Sequence, residues 1–258
     1  MSSCRVKLPI LDQLIPEGIK PDTMFLVEFD PESQWFAVAL TIAARVLKNG
    51  GNFAFQAMAR PPEDIENDLS SLGVDVENSF ERGQLQINDF YTATLTGGRV
   101  EPFNPGVIME NQPKGTKWLS VKVQDLSVEF VKESRIPKEA SRVFRTTWPA
   151  GTPNLVDSYS PLLRFNDEKS SADYIESRLY PEMRKAKRIV LLPFVRGIHT
   201  DWFYKRMESM SDGIIDTRVA EENDGVKTIF RVRSLRGQPH DSRWHVITIG
   251  PNGEASLT

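Results

Sequence analysis

The chain has 258 residues, 40% hydrophobic and 26% charged, which is ordinary for a globular protein and permits one large domain or two small ones. Its formal net charge of −3 gives no electrostatic footprint for nucleic acid or for an anionic membrane. Cys4 is the one cysteine, which excludes a disulfide framework and a cysteine-built metal cluster, and no apolar run approaches the roughly 20 residues needed to span a bilayer. Residues 1–14 lack the basic-then-apolar pattern of a signal peptide, so a soluble, cytoplasmic protein is expected.

Residues 24–29 (MFLVEF) form a short apolar run and predict a buried strand. Residues 37–47 are apolar nearly all round and end at Asn49-Gly50-Gly51, a helix followed by its stop signal. Residues 52–58 (NFAFQAM) predict a second strand, and Pro61-Pro62-Glu63-Asp64 opens a helix that runs to about Leu72 and closes at Gly73. Residues 84–91 (QLQINDFY) predict a third strand. The segment 97–116 is rich in Gly, Pro and Asn and has no period, as in a lid or binding loop; residues 121–133 predict a helix. Residues 154–160 (NLVDSYS) read as a buried strand with a polar end, 171–187 as a charged helix with a break or kink at Pro181, 188–195 as a strand and 201–211 as a short helix.

Residues 213–219, 228–235 and 244–250 then read as strands joined by polar turns. Strands alternating with helices imply a mainly parallel sheet covered on both faces, and the last stretch implies an antiparallel extension at one sheet edge. One domain spanning 1–258 is the simplest account, with an insertion-like segment at about 97–150.

The order of several pieces resembles the KaiC-like branch of the RecA superfamily of P-loop ATPases. They are Leu11-Asp12-Gln13-Leu14, Glu17-Gly18-Ile19, Pro61-Pro62-Glu63-Asp64, Ser71-Leu72-Gly73 and Gly83-Gln84-Leu85-Gln86-Ile87, then Leu155-Val156-Asp157-Ser158 in the manner of a Walker B strand, Ser211-Asp212-Gly213-Ile214-Ile215 and Arg236-Gly237-Gln238-Pro239-His240-Asp241. No single piece is specific; their order and spacing are. The segment 97–150 matches least.

The resemblance implies a RecA-like central sheet and a phosphate loop of the form G-x-x-x-x-G-K-[ST] after the first strand. The matching positions hold Phe29, Asp30, Pro31, Glu32, Ser33, Gln34, Trp35 and Phe36. Both glycines are gone, Trp35 stands for the phosphate-binding lysine and Phe36 for the metal-binding hydroxyl. Losing charge-assisted bonds of roughly 1.5–3 kcal/mol each removes much of the usual phosphate affinity. Read without the family, the segment is a capped helix start. Asp30 is the N-cap, Pro31 the first helical residue and Glu32 suits the positive helix end, so the helix is expected to begin near Pro31 with no wide loop.

Relatives of this branch carry an acidic pair just before Pro-Pro; here Ala59-Arg60 stands there, and nothing obvious orients an attacking water. Asp157 and Ser158 remain at the Walker B position, and the resemblance makes the strands ending at Arg60 and Asp157 neighbours. Arg60 then either pairs with Asp157 in place of a metal, or both are independent, solvated strand-end residues; spacing leaves the two open.

His199, His240 and His245 have no carboxylate or cysteine spacing that supports a metal site. By analogy with related ATPases, Arg236 and His240 are candidates for a partner interface, against a plain structural turn. Asp157-Ser158-Tyr159-Ser160 contains serines but no G-x-S-x-G elbow. Arg184, Lys185, Lys187 and Arg188 form a basic run that reads as a solvated helix face.

The functional expectation is a catalytically inactive KaiC/RecA-like homologue, a pseudo-ATPase of archaeal type. It would regulate or co-assemble with another protein, either an active RecA/KaiC-like protomer or itself, with no resident cofactor, no metal, no membrane and no nucleic acid. The alternatives are a nucleotide-sensing module that holds ATP and Mg through Asp157 without turnover, and a DNA-repair accessory protein resembling recombinase paralogues.

Overall fold

The computed structural model describes residues 5–91, 119–120, 148–164, 166–222 and 225–258. The helix expected at 121–133 and the loop expected at 97–116 lie outside the described residues, as does most of the insertion-like segment.

The chain enters through a short helix α1 (Leu11–Leu14) and then alternates strand and helix: β1 (Met24–Phe29), α2 (Trp35–Lys48), β2 (Phe53–Ala57), α3 (Pro62–Ser71), α4 (Val76–Glu81) and β3 (Leu85–Asp89). After β4 (Leu119–Ser120) come β5 (Pro153–Val156), a 3-10 turn (Ser160–Arg164), α5 (Glu168–Tyr174), α6 (Tyr180–Lys185), β6 (Ile189–Val195) and α7 (Asp201–Met210). The last strands are β7 (Gly213–Glu222), β8 (Gly225–Leu235), β9 (His245–Ile249) and β10 (Ala255–Leu257).

These ten strands make one sheet in the order β10-β9-β8-β7-β1-β6-β5-β2-β3-β4. From β7 to β4 every pair is parallel, and from β7 to β10 every pair is antiparallel. The predicted parallel core and antiparallel wing are therefore both present. The central strands are buried along their length because helices cover both faces, and their sequences are accordingly apolar runs rather than alternations. In β1, Phe25, Val27 and Phe29 face α2 and α3, whereas Met24 and Leu26 join Phe203 and Met207 of α7 on the other face. In the wing, β8 alternates, with Thr228, Phe230 and Val232 buried and their neighbours partly open.

The charged helix expected over 171–187 begins earlier, at Asp167, whose carboxylate caps it by accepting the Ser170 N–H. Pro181 does not break it. A π-helical turn over Ile175–Leu179 precedes the proline, which then sits in the first turn of α6, where its missing N–H costs little.

An ionic cluster fastens the wing to the core. Glu28 of β1 lies opposite Asp216 of β7, and both are buried. Arg218 donates to both carboxylates; Arg231 pairs with Asp216, and Arg233 with Glu28 and with Glu208 of α7. Burial pushes the Glu28 carboxyl above its ordinary range, with Arg233 pulling the other way.

The outermost strand is tied down as well. Ala255 N–H donates to Thr41 Oγ1 of α2 at 2.8 Å, and Arg45 of the same helix pairs with Glu254 at 2.6 Å. Thr41 is fully buried. Thr41→Val keeps the shape and deletes the acceptor, so it is expected to cost about 1–3 kcal/mol by leaving a buried N–H unpaired. Urea unfolding of the variant checks this; an unchanged midpoint contradicts it.

Candidate functional site

The region to judge is the carboxyl end of the parallel strands, where β1 and β5 run out. The chain leaves β1 into a tight turn. Ser33 donates both its N–H and its hydroxyl to the Asp30 carbonyl, at 2.9 and 2.7 Å, with Pro31 at the second turn position. Helix α2 begins at Trp35, not near Pro31, and its N-cap residue Gln34 makes no side-chain cap bond. The expected capping by Asp30 is thus overturned. Its carboxylate is held by long-range partners, accepting the Val219 N–H of β7 at 2.9 Å and pairing with Arg196 at 3.3 Å, and it cannot turn back onto the helix. Glu32 and Gln34 are exposed, and the 30–34 segment is a tight turn, without a wide loop but also without the expected helix start.

Trp35 is completely buried, and its indole N–H donates to the Asp157 carbonyl at 3.1 Å. The ring lies 6.2 Å from that of Phe29. Phe36 stands edge-on to Phe29 at 6.0 Å, and the Arg60 guanidinium lies 5.8 Å from the Phe36 ring centre. Three aromatic rings therefore pack where β1 passes into α2.

Asp157 follows β5 directly and is 1% exposed. Oδ1 accepts the N–H groups of Met58 at 2.8 Å and Ser158 at 2.7 Å, and Oδ2 accepts those of Ala59 and Arg60, each at 2.9 Å. Residues 58–60 therefore form a cup of successive N–H groups, with a carboxylate of the chain itself as the anion. Burial pushes the Asp157 carboxyl up to about 6, against the downward pull of those N–H groups.

The Arg60–Asp157 ion pair, one of the two readings left open by the sequence, is not formed. Arg60 gives Asp157 its backbone N–H only, and its guanidinium turns along α3 to Asp68 at 2.5 Å. Nor is Asp157 solvated, as the independent reading required. Four N–H dipoles aimed at one carboxylate also oppose a cation on the same oxygens. Among the described residues no group of three or more His, Cys, Asp or Glu side chains is placed to hold a metal. Ser158 is buried beside Asp157, and its hydroxyl has no hydrogen-bond partner.

Arg236 and His240 are not brought to this site. They follow β8, whose end pairs with the start of β7, so they lie at the amino end of the parallel strands. Exposed Arg236 donates to the Ser209 carbonyl at 2.6 Å, and His240 Nδ1 lies 3.0 Å from the Gln238 carbonyl. The basic run is divided: Arg184 pairs with Asp212, Lys185 and Lys187 are exposed, and Arg188 is buried with Nη1 on the Pro149 carbonyl. It is not one solvated face.

Sequence reasoning missed a polar chain next to the site. Ser160 contacts His199, 39 positions away, and His199 faces Glu168. The absent elbow motif carried no information about it, because the partners come from separate segments.

This architecture is a RecA-like α/β fold with mostly parallel strands between helical layers. Compared by sequence, the chain matches no protein-family model and no curated protein. Among solved structures it is similar to the KaiC-like protein PH0186 of the hyperthermophilic archaeon Pyrococcus horikoshii OT3, at 16% identity and a TM-score of 0.67 over 99% of each chain. At that identity the likeness shows the fold alone. No helix among the described residues is long and apolar enough to cross a membrane.

The elevated Asp157 value makes a sign-specific prediction. Between its ordinary value of about 4 and its folded value of about 6, the folded chain keeps a proton that the unfolded chain has released. This residue's contribution to stability therefore falls as pH rises through that window. The stability of the wild type relative to Asp157→Asn is expected to drop by about 2–3 kcal/mol between pH 4 and pH 7. Urea midpoints of both proteins at each pH measure it, and a pH-independent difference rules the assignment out.

Proposed function

We propose that this chain is a KaiC-like protein that has lost ATP turnover and acts as a regulatory or assembly protein through contact with another protein. The partner is an active RecA/KaiC-like protomer or a second copy of this chain. The observation that carries the reading is the state of Asp157. Its carboxylate accepts four backbone N–H groups, and its carbonyl accepts the indole of Trp35. In a phosphoryl-transfer site a lysine neutralises phosphate charge, a hydroxyl and an acid hold magnesium, and a polar residue orients water. Here the first two positions are aromatic, the Walker B-like acid is engaged by the protein's own backbone, and Ala59-Arg60 supplies backbone N–H groups where an acid would orient water. The division of the basic run between surface and interior argues against a nucleic-acid role for it.

Calorimetric titration with Mg-ATP and with ADP, at two temperatures, tests this. No saturable heat at high micromolar ligand is the expected result. Saturable binding would overturn the reading of Trp35 and Phe36 and favour nucleotide sensing, and measurable hydrolysis would overturn the proposal itself.

Restoring the lysine alone is expected not to restore function. Trp35→Lys places a charge and a void in a fully buried position and is expected to lose roughly 3–5 kcal/mol of stability without gaining ATP binding. Thermal melts with and without Mg-ATP read both effects. A nucleotide-dependent rise in Tm would contradict it.

A further inference from the structure

Ser160 opens the 3-10 turn that follows β5. Its Oγ accepts the Val195 N–H at 3.1 Å and lies 2.9 Å from His199 Nε2. The ring tautomer decides which of these two atoms carries the hydrogen between them. The other ring nitrogen, Nδ1, faces Glu168 Oε1 at 3.6 Å. Glu168 is itself fixed, because Thr200 donates its N–H to Oε1 at 2.9 Å and its hydroxyl to Oε2.

A carboxylate beside Nδ1 favours the tautomer with its proton there, which leaves Nε2 as a base toward Ser160. The ring is walled by Phe194, Phe203 and Tyr204, with centroids 5.9, 5.3 and 5.8 Å away. Burial lowers the His199 value from its ordinary range, against the upward pull of Glu168, which keeps the ring neutral. Hydroxyl, imidazole and carboxylate thus stand in the order nucleophile, base and orienting acid, and it is geometry and roles rather than chain order that define such a set.

We propose that Ser160 is a base-activated nucleophile, positioned by His199 and Glu168, that accepts an acyl or phosphonyl group from a small electrophile. The proposal is independent of the nucleotide reading and concerns one covalent step. With an activated ester, Ser160 Oγ bonds to the carbonyl carbon as its proton passes to His199 Nε2. The bond to the leaving alkoxide then breaks, and the alkoxide takes that proton. With a fluorophosphonate, the Oγ–P bond forms, the P–F bond breaks, fluoride departs and the proton stays on His199 until solvent removes it. Ser160 is 7% exposed, so the electrophile must be small.

The full chain is treated with a small alkyl fluorophosphonate, and adducts are followed by intact mass and located by peptide mapping. The expected result is a single adduct on Ser160, formed at least about 100-fold more slowly in His199→Gln, the range that a general base contributes. It should be absent from urea-unfolded chain and retained in Ser158→Ala. Mapping on the wild type locates the adduct even where Ser160→Ala fails to fold. No adduct on Ser160 after prolonged exposure, or equal rates for wild type, His199→Gln and unfolded chain, overturns the proposal.

Discussion

The Asp157 carboxylate, out of water and gripped by the N–H groups of Met58, Ala59, Arg60 and Ser158, governs how the carboxyl end of the sheet is built. A buried anion without donors costs several kcal/mol, so the segment after β2 must curl to present three consecutive N–H groups. That curl joins β2 to β5 at their ends. The carbonyl of the same residue accepts Trp35, which fixes the start of α2 against β5. Two strands and a helix are therefore referenced to one residue.

The sheet was legible in the sequence because its signals are local and repeated. Apolar runs such as 24–29 and 188–195 are buried on both faces, and the strand read at 228–235 lies within β8, whose burial alternates. Short elements were not legible. α4 (Val76–Glu81) and β10 (Ala255–Leu257) contain too few residues to show a period, although the Asp75 cap on the Asn78 N–H is a recognisable start signal. At the candidate site the partners that the sequence suggested are not the ones the fold supplies. Asp30 has the makings of an N-cap, but Val219 and Arg196, far along the chain, engage it first. Arg60 has a charge that suggests a partner for Asp157, yet its backbone does the binding. Local chemistry predicts what a side chain can do, and long-range packing chooses among those options.

The wing shares the apolar core through Ile215, Phe230, Val232 and Ile247 on one face and adds charge on the other. Its contact with β1 and α7 runs through three carboxylates and three arginines at low exposure. Such a cluster contributes little to net stability compared with apolar packing, but removing one member leaves charge stranded in a dry environment. It therefore specifies register more than it adds strength. Glu28 and Asp216, side by side on parallel strands, repel each other unless Arg218, Arg231 and Arg233 arrive in register from β7 and β8.

The strap between α2 and β10 also bears on how the molecule can assemble. An outer β-strand normally offers a row of unused backbone groups on which another chain can pair. At Ala255 the N–H goes to Thr41 and the carbonyl receives Arg45, so one residue of that border is engaged within the protein itself. Sheet-to-sheet growth from this side is disfavoured, and with it the fibrous, open-ended association that bare edges invite. A strand added along this border would first have to displace the contacts that Thr41 and Arg45 make with Ala255.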